Sequence, residues 1–119
     1  MVDSINAVEL KAEIHHCVRG GGELAVLDIR EYGQYGQGHP FFAVSCPYSV
    51  LEQKVPKLVP RCSAPVVVYD DNDNLAVRAV DALIRIGYVN IRILEGGAPA
   101  WEAAGFTLYQ GVNLPSKTF

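Results

Sequence analysis

The sequence predicts an α/β fold of three layers, a mostly parallel central sheet with helices on both faces, and three observations predict it. Short apolar runs of strand length recur along the chain, at Leu24–Asp28, Phe41–Val44, Val66–Tyr69 and Ile91–Leu94. Leu24–Asp28 lacks the clean apolar–polar alternation of a half-solvated strand, as expected of a strand covered on both faces. Between them lie segments of helical periodicity, so strands alternate with helices in the order that builds a parallel sheet.

The first helix is announced by Asn6 with Glu9 three residues on, a capping box, and its apolar stripe continues through Val8, Ala12 and Cys17 until Gly20, Gly21 and Gly22 stop it. Leu24–Asp28 then forms a buried strand that ends in the corner Ile29-Arg30-Glu31. Residues 32–40 are rich in Gly and Tyr and hold one short helical turn at most, before a brief strand over Phe41–Val44. Ser49 is placed to cap a helix carrying Leu51, Val55, Leu58 and Val59, which Pro56 distorts.

Val66–Tyr69 is the clearest strand, β-branched and uninterrupted, and it runs into Asp70-Asp71-Asn72-Asp73-Asn74. A helix follows from about Leu75 to Ile86, with Ala76, Val77, Ala79, Val80, Leu83 and Ile84 on its buried side. Arg78, Asp81 and Arg85 fall at spacings of three and four and make a solvated charged stripe. Gly87 ends that helix, Ile91–Leu94 is the last strand, and Glu95-Gly96-Gly97 turns into a short helix around Trp101. Trp101 is read as a core plug.

A chain of 119 residues that is half hydrophobic can bury one core. Residues 1–109 are read as that domain and residues 110–119 as a tail or linker, cut from a longer multidomain protein. A net charge of -3 with scattered Lys and Arg leaves no basic footprint for nucleic acid. Neither a leader nor an apolar run of membrane length is present, so a cytoplasmic location is expected. Cys17, Cys46 and Cys62 are widely spaced and read as reduced, packed or idle thiols; no metal and no cofactor are expected. His15 and His16, adjacent on a helix, point in different directions and do not make a joint metal site.

Several patterns in order resemble the rhodanese (thiosulfate sulfurtransferase) homology domain over roughly residues 5–107. They are Val26-Leu27-Asp28-Ile29-Arg30-Glu31 with Tyr35, Gly38-His39-Pro40, Val66-Val67-Val68-Tyr69, and Gly87-Tyr88 through Leu94-Glu95-Gly96-Gly97 to Trp101. The resemblance implies a strand ending in a cysteine that opens a six-residue loop, closed by arginine, around the cysteine sulfur. The matching positions here are Asp70, Asp71, Asn72, Asp73, Asn74 and Leu75.

Both departures bear on the chemistry. A thiolate must attack the outer sulfur of thiosulfate and carry it as a persulfide, which a carboxylate cannot do. Backbone N–H groups of the loop and the positive end of the following helix favour negative charge. With Asp70, Asp71 and Asp73 already there, and Leu75 where arginine is usual, an incoming dianion meets like charge. Asp70 is therefore expected to sit in the cradle itself, accepting hydrogen bonds from loop N–H groups as a substitute for a bound anion.

Other residues take structural readings. Asp28 and Arg30 look like corner residues that tie the strand end to neighbouring loops, and His39 like the pivot of a turn near the site. Asp70-x-Asn72-x-Asn74 opens like a calcium loop, but Leu75 stands where glycine is needed. Cys46 precedes Pro47 after a strand, Cys62 lies upstream of Val66 and Cys17 belongs to the first helix, so none of them begins the loop at the sheet's carboxyl end, where ligands gather.

The leading function is a rhodanese-like domain without sulfur-transfer activity, serving as a structural or regulatory module beside a second rhodanese-like domain. A stand-alone module binding an anion or a protein is the alternative. A phosphatase-like enzyme with an aspartyl acceptor is a third, disfavoured because the loop supplies acids without a nearby loop arginine.

Overall fold

The computed structural model describes residues 3–18, 24–31, 43–71 and 74–106, with the side chains of Cys17 and Val18 outside that description. Among these residues five strands form one sheet: β1 (Asp3–Ile5), β2 (Ala25–Asp28), β3 (Ala43–Ser45), β4 (Val66–Tyr69) and β5 (Ile91–Leu94). Their order is β1-β5-β4-β2-β3, and each neighbouring pair is parallel. Three helices lie between strands, α1 (Ala7–Val18), α2 (Leu51–Leu58, entered through a 3-10 turn over Tyr48–Val50) and α3 (Leu75–Arg85), and α4 (Gly97–Ala103) follows the last strand.

The two faces of the sheet are read off β4, whose four residues are all buried. Val66 and Val68 point into a core with Leu51 and Val55 of α2 and Ala76, Ala79, Val80 and Leu83 of α3. Val67 and Tyr69 point the other way, onto Leu10 and Ile14 of α1 and Ala98 and Trp101 of α4. Successive strand residues alternate sides, so a strand covered on both is apolar throughout. At roughly 1.5–3 kcal/mol for each fully buried Val or Leu side chain, this double coverage makes β4 the centre of the core. Trp101 plugs the α1/α4 side and lies 4.8 Å from the ring of Phe106.

The capping box closes reciprocally: Glu9 N–H donates to Asn6 Oδ1 at 2.8 Å and Asn6 N–H to Glu9 Oε1 at 3.1 Å. The helix it starts turns a different stripe inward, however. Ala7, Leu10 and Ile14 are buried, whereas Val8 and Ala12 are exposed, because the sheet lies on the side fixed by β1, a strand too short to betray itself by periodicity. On α3, Val77 is 46% and Ile84 57% exposed, and Ala82 takes a buried place instead. Leu58 is also exposed at the end of α2.

Ser49 is not a cap. It lies within the 3-10 turn, its hydroxyl faces Glu31 at 3.2 Å, and Val50 precedes α2 without a side-chain cap. The third strand is Ala43–Ser45, one residue beyond the expected Val44. Gly20–Gly22, residues 32–42 and the 110–119 tail lie outside the described residues.

Candidate functional site

Because every strand is parallel, all carboxyl ends meet at one edge of the sheet, and the Asp70 loop leaves from the central strand there. Asp70 is 4% exposed, and its Oδ2 accepts a hydrogen bond from the N–H of Ala76 at 2.9 Å. That N–H belongs to the first turn of α3, where donors have no partner within the helix and the helix dipole favours a carboxylate. The carbonyl of Asp70 accepts from Ala98 N–H at 2.8 Å, which fastens the loop to the start of α4.

That fastening depends on the turn before α4. Gly96 has φ 75° and Gly97 φ 64°, and a Cβ on Gly96 would lie 2.6 Å from Cβ of Ala100. Glycine is thus required at Gly96 by both conformation and space. At the other end of the loop Asn74 adopts the left-handed conformation, φ 68°, immediately before α3.

A second cluster adjoins the loop. Asp28 ends β2 and is in register with Tyr69, the end of β4. The Asp28 carboxylate is fully buried and accepts from Arg30 Nε at 2.9 Å, Arg30 Nη2 at 2.6 Å and Tyr69 Oη at 2.8 Å. The Arg30 N–H also donates to Asp28 Oδ1, at 2.9 Å, which locks the corner. From there Arg30 Nη1 reaches Asp71 Oδ1 at 3.1 Å.

The electrostatics follow from the contacts. Burial works against the charge on Arg30, but the hydrogen bonds and charge of Asp28 outweigh it and hold its pKa above the ordinary value. Burial, then the neighbouring Asp28 charge, pushes the Tyr69 phenol upward, so Tyr69 remains a hydrogen-bond donor. Arg30 also lies over the Tyr69 ring, 5.5 Å from its centroid.

Asp28, Arg30, Asp70 and Asp71 are therefore brought together at one end of the sheet. Leu75 begins α3 half-buried against the core on the α2/α3 face, an apolar contact where the resemblance places arginine. Asn72, Asp73 and His39 lie outside the described residues. The loop does have a cation beside it that is not its own: Arg30, just beyond the end of β2, reaches Asp71 through a contact spanning 41 positions. Pairing of Tyr69 with Asp28 was equally hidden, since an aromatic strand end reads as core; the parallel register is the feature that exposes it.

Cys46 follows the carboxyl end of β3, and it is fully buried with its N–H bound to the carbonyl of Asp28 at 2.8 Å. Burial pushes its thiol up to about 11, leaving little thiolate near neutrality. Cys62 is exposed beyond α2, before β4 begins. Among the described residues no group of three His, Cys, Asp or Glu side chains is gathered to hold a metal ion.

Residues 7–104 match the family described as the Rhodanese-like domain. SseB of Mycobacterium tuberculosis, whose name assigns it provisionally to the thiosulfate sulfurtransferases, is 30% identical over 132 residues, covering 87% of this chain and 46% of SseB. The crystal structure of a thiosulfate sulfurtransferase from Pseudomonas aeruginosa is similar with a TM-score of 0.89 at 37% identity, over 99% of this chain and 22% of that one. A rhodanese-related protein from Thermoplasma volcanium has a TM-score of 0.72 at 28% identity, over 89% of this chain and 96% of its own. The chain thus spans about half the length of the curated relatives it matches, and 22% of the Pseudomonas chain.

Proposed function

The chain belongs to the rhodanese-like domain family and is related to the thiosulfate sulfurtransferases, and from that premise we propose that this copy does not transfer sulfur itself and serves as a structural or regulatory module. The observation that carries the reading is Asp70: where the family resemblance implies a cysteine, a buried carboxylate accepts the Ala76 N–H at the start of α3. Sulfur transfer from thiosulfate forms a bond from thiolate to the outer sulfur while the S–S bond of thiosulfate breaks and sulfite leaves. Asp70 has no sulfur to carry the product, and its charge occupies ground that an anionic donor needs.

The two thiols with described side chains do not supply the missing nucleophile under this reading. Cys46 faces the core with a raised pKa, and Cys62 precedes β4. The module is proposed to work in the cytoplasm beside a second rhodanese-like domain, and the greater length of SseB and of the Pseudomonas sulfurtransferase supports a larger assembly. Among the described residues no helix is long and apolar enough to cross a membrane.

The test is thiosulfate-to-cyanide sulfur transfer by the parent chain, Asp70→Cys, and Asp70→Cys with Leu75→Arg. Inactivity of the parent and turnover by the double variant are expected. Turnover by the parent that Cys46→Ser or Cys62→Ser abolishes would overturn the assignment.

A further inference from the structure

At the end of α4 the chain turns back on the helix it has just left. Gly105 N–H donates to the carbonyl of Glu102 at 2.9 Å and Phe106 N–H to that of Trp101 at 3.3 Å, with Gly105 in the left-handed conformation, φ 89°. This hydrogen-bond pattern stops a helix and folds the residue after the glycine against the last turn. It sets the Phe106 ring 4.8 Å from that of Trp101, tilted by 57°. Trp101 is 3% exposed, and Phe106 packs on its core cluster from the half-buried rim.

A cation from another element closes the pair. Lys11 of α1 places Nζ 5.0 Å from the centre of the Phe106 ring and 5.9 Å from that of Trp101, inside the reach of about 6 Å at which ring faces attract an ammonium. Lys11 makes no ion pair among the described residues, so its charge is held at the two rings. We infer that residues 104–106 are a strap over Trp101 that opens separately from the sheet, and that Lys11 is the catch that holds it shut.

The two sides of this contact differ in rigidity. The backbone hydrogen bonds of Ala104, Gly105 and Phe106 all end on α4 itself, and Ala104 and Gly105 are exposed. A segment tied only to its own helix, with little apolar burial, belongs to the low-stability end of a fold. Lys11 instead rides on α1, which Leu10 and Ile14 anchor in the core on that face of the sheet. The strap also leaves from the end of α4 opposite Ala98, which holds the Asp70 loop, so the device stands whether or not that loop carries sulfur.

The experiment is native-state amide exchange followed by NMR on the full chain in rising, sub-denaturing urea, for the parent, Lys11→Met and Lys11→Arg. Met keeps the length and apolar stem without the charge; Arg keeps a cation over the rings. Exchange at Phe106 is expected to be independent of urea, the mark of a local opening, whereas exchange at Val68 in β4 quickens with urea because it requires global unfolding. Lys11→Met is expected to exchange Phe106 about two- to fivefold faster than the parent, and Lys11→Arg at the rate of the parent. In the parent the ε-methylene protons of Lys11 are expected upfield of those of the exposed Lys57, displaced by the ring currents, a reading that needs no variant. Exchange at Phe106 that rises with urea in step with Val68 would overturn the strap. An undisplaced Lys11 ε-methylene, an unchanged rate in Lys11→Met, or equal rates in Lys11→Met and Lys11→Arg would overturn the catch.

Discussion

The guanidinium of Arg30 grips the carboxylate of Asp28 along its Nε–Nη2 edge, with Nη2 at 2.6 Å, at a position where the carboxylate has no solvent exposure. Removing one partner of such a pair leaves an uncompensated buried charge, whereas removing both charges does not. Arg30→Gln is expected to destabilise the chain by about 3–5 kcal/mol in urea unfolding, and Arg30→Gln with Asp28→Asn by clearly less. Equal losses would mean that the pair matters for its packing and not for its charge.

Asp70→Ala removes the acceptor of the Ala76 N–H, and the expected loss is about 1 kcal/mol, the ordinary worth of a side-chain oxygen at a helix start. Asp70→Asn retains an acceptor and should fall between parent and Ala. Thermal unfolding of the three chains tests the order. An Ala variant as stable as the parent would show that the carboxylate contributes nothing to α3 and that its burial serves no structural end.

Legibility in the sequence divides along the range of the interactions. Val66–Tyr69 and the helix after it were readable because their signals are local: β-branched residues in a row, then apolar residues at helical spacing. The Asn6–Glu9 box was readable for the same reason. β1 was not, because three residues, Asp3–Ile5, carry no period, and the burial of Val77 and Ile84 was overestimated because the width of a buried stripe is set by what packs against it. At the site, the acidic segment opening with Asp70 is visible in the chain itself. Joining of Arg30 to Asp71 was not, since it depends on β2 and β4 lying side by side in a register that no local pattern states.

Gly96→Ala is expected to destabilise the protein by roughly 2–4 kcal/mol, combining the left-handed backbone with overlap on Ala100. Adding Ala100→Gly removes the overlap but not the backbone strain, so only part of the loss should return, less the helix penalty of the new glycine. The Asp70 carbonyl is bound to Ala98 just beyond this turn, so amide exchange at Ala98 should quicken in the single variant. Unchanged exchange there would show that the loop does not depend on the glycine turn.

Cys46 offers a test of the core beneath the site. Burial raises its thiol to about 11 from the ordinary 9.0, so between those values the unfolded chain loses a proton that the folded chain keeps. A group whose neutral form the fold favours in this way contributes stability that is fully present below pH 9 and declines as pH rises toward 11, by up to about 1.4 kcal/mol per pH unit. Tyr69 and Tyr88 are shifted upward as well, so the contribution of Cys46 is read as a difference: Cys46→Ala should show a shallower alkaline decline than the parent. In a Cys17→Ser background at pH 8.5, with the remaining thiols exposed at Cys62 and buried at Cys46, iodoacetamide should label Cys62 and spare Cys46 until the chain is unfolded. Rapid labelling of Cys46 in the folded chain, or an alkaline slope unchanged by Cys46→Ala, would place that thiol in contact with solvent and reopen it as a sulfur carrier.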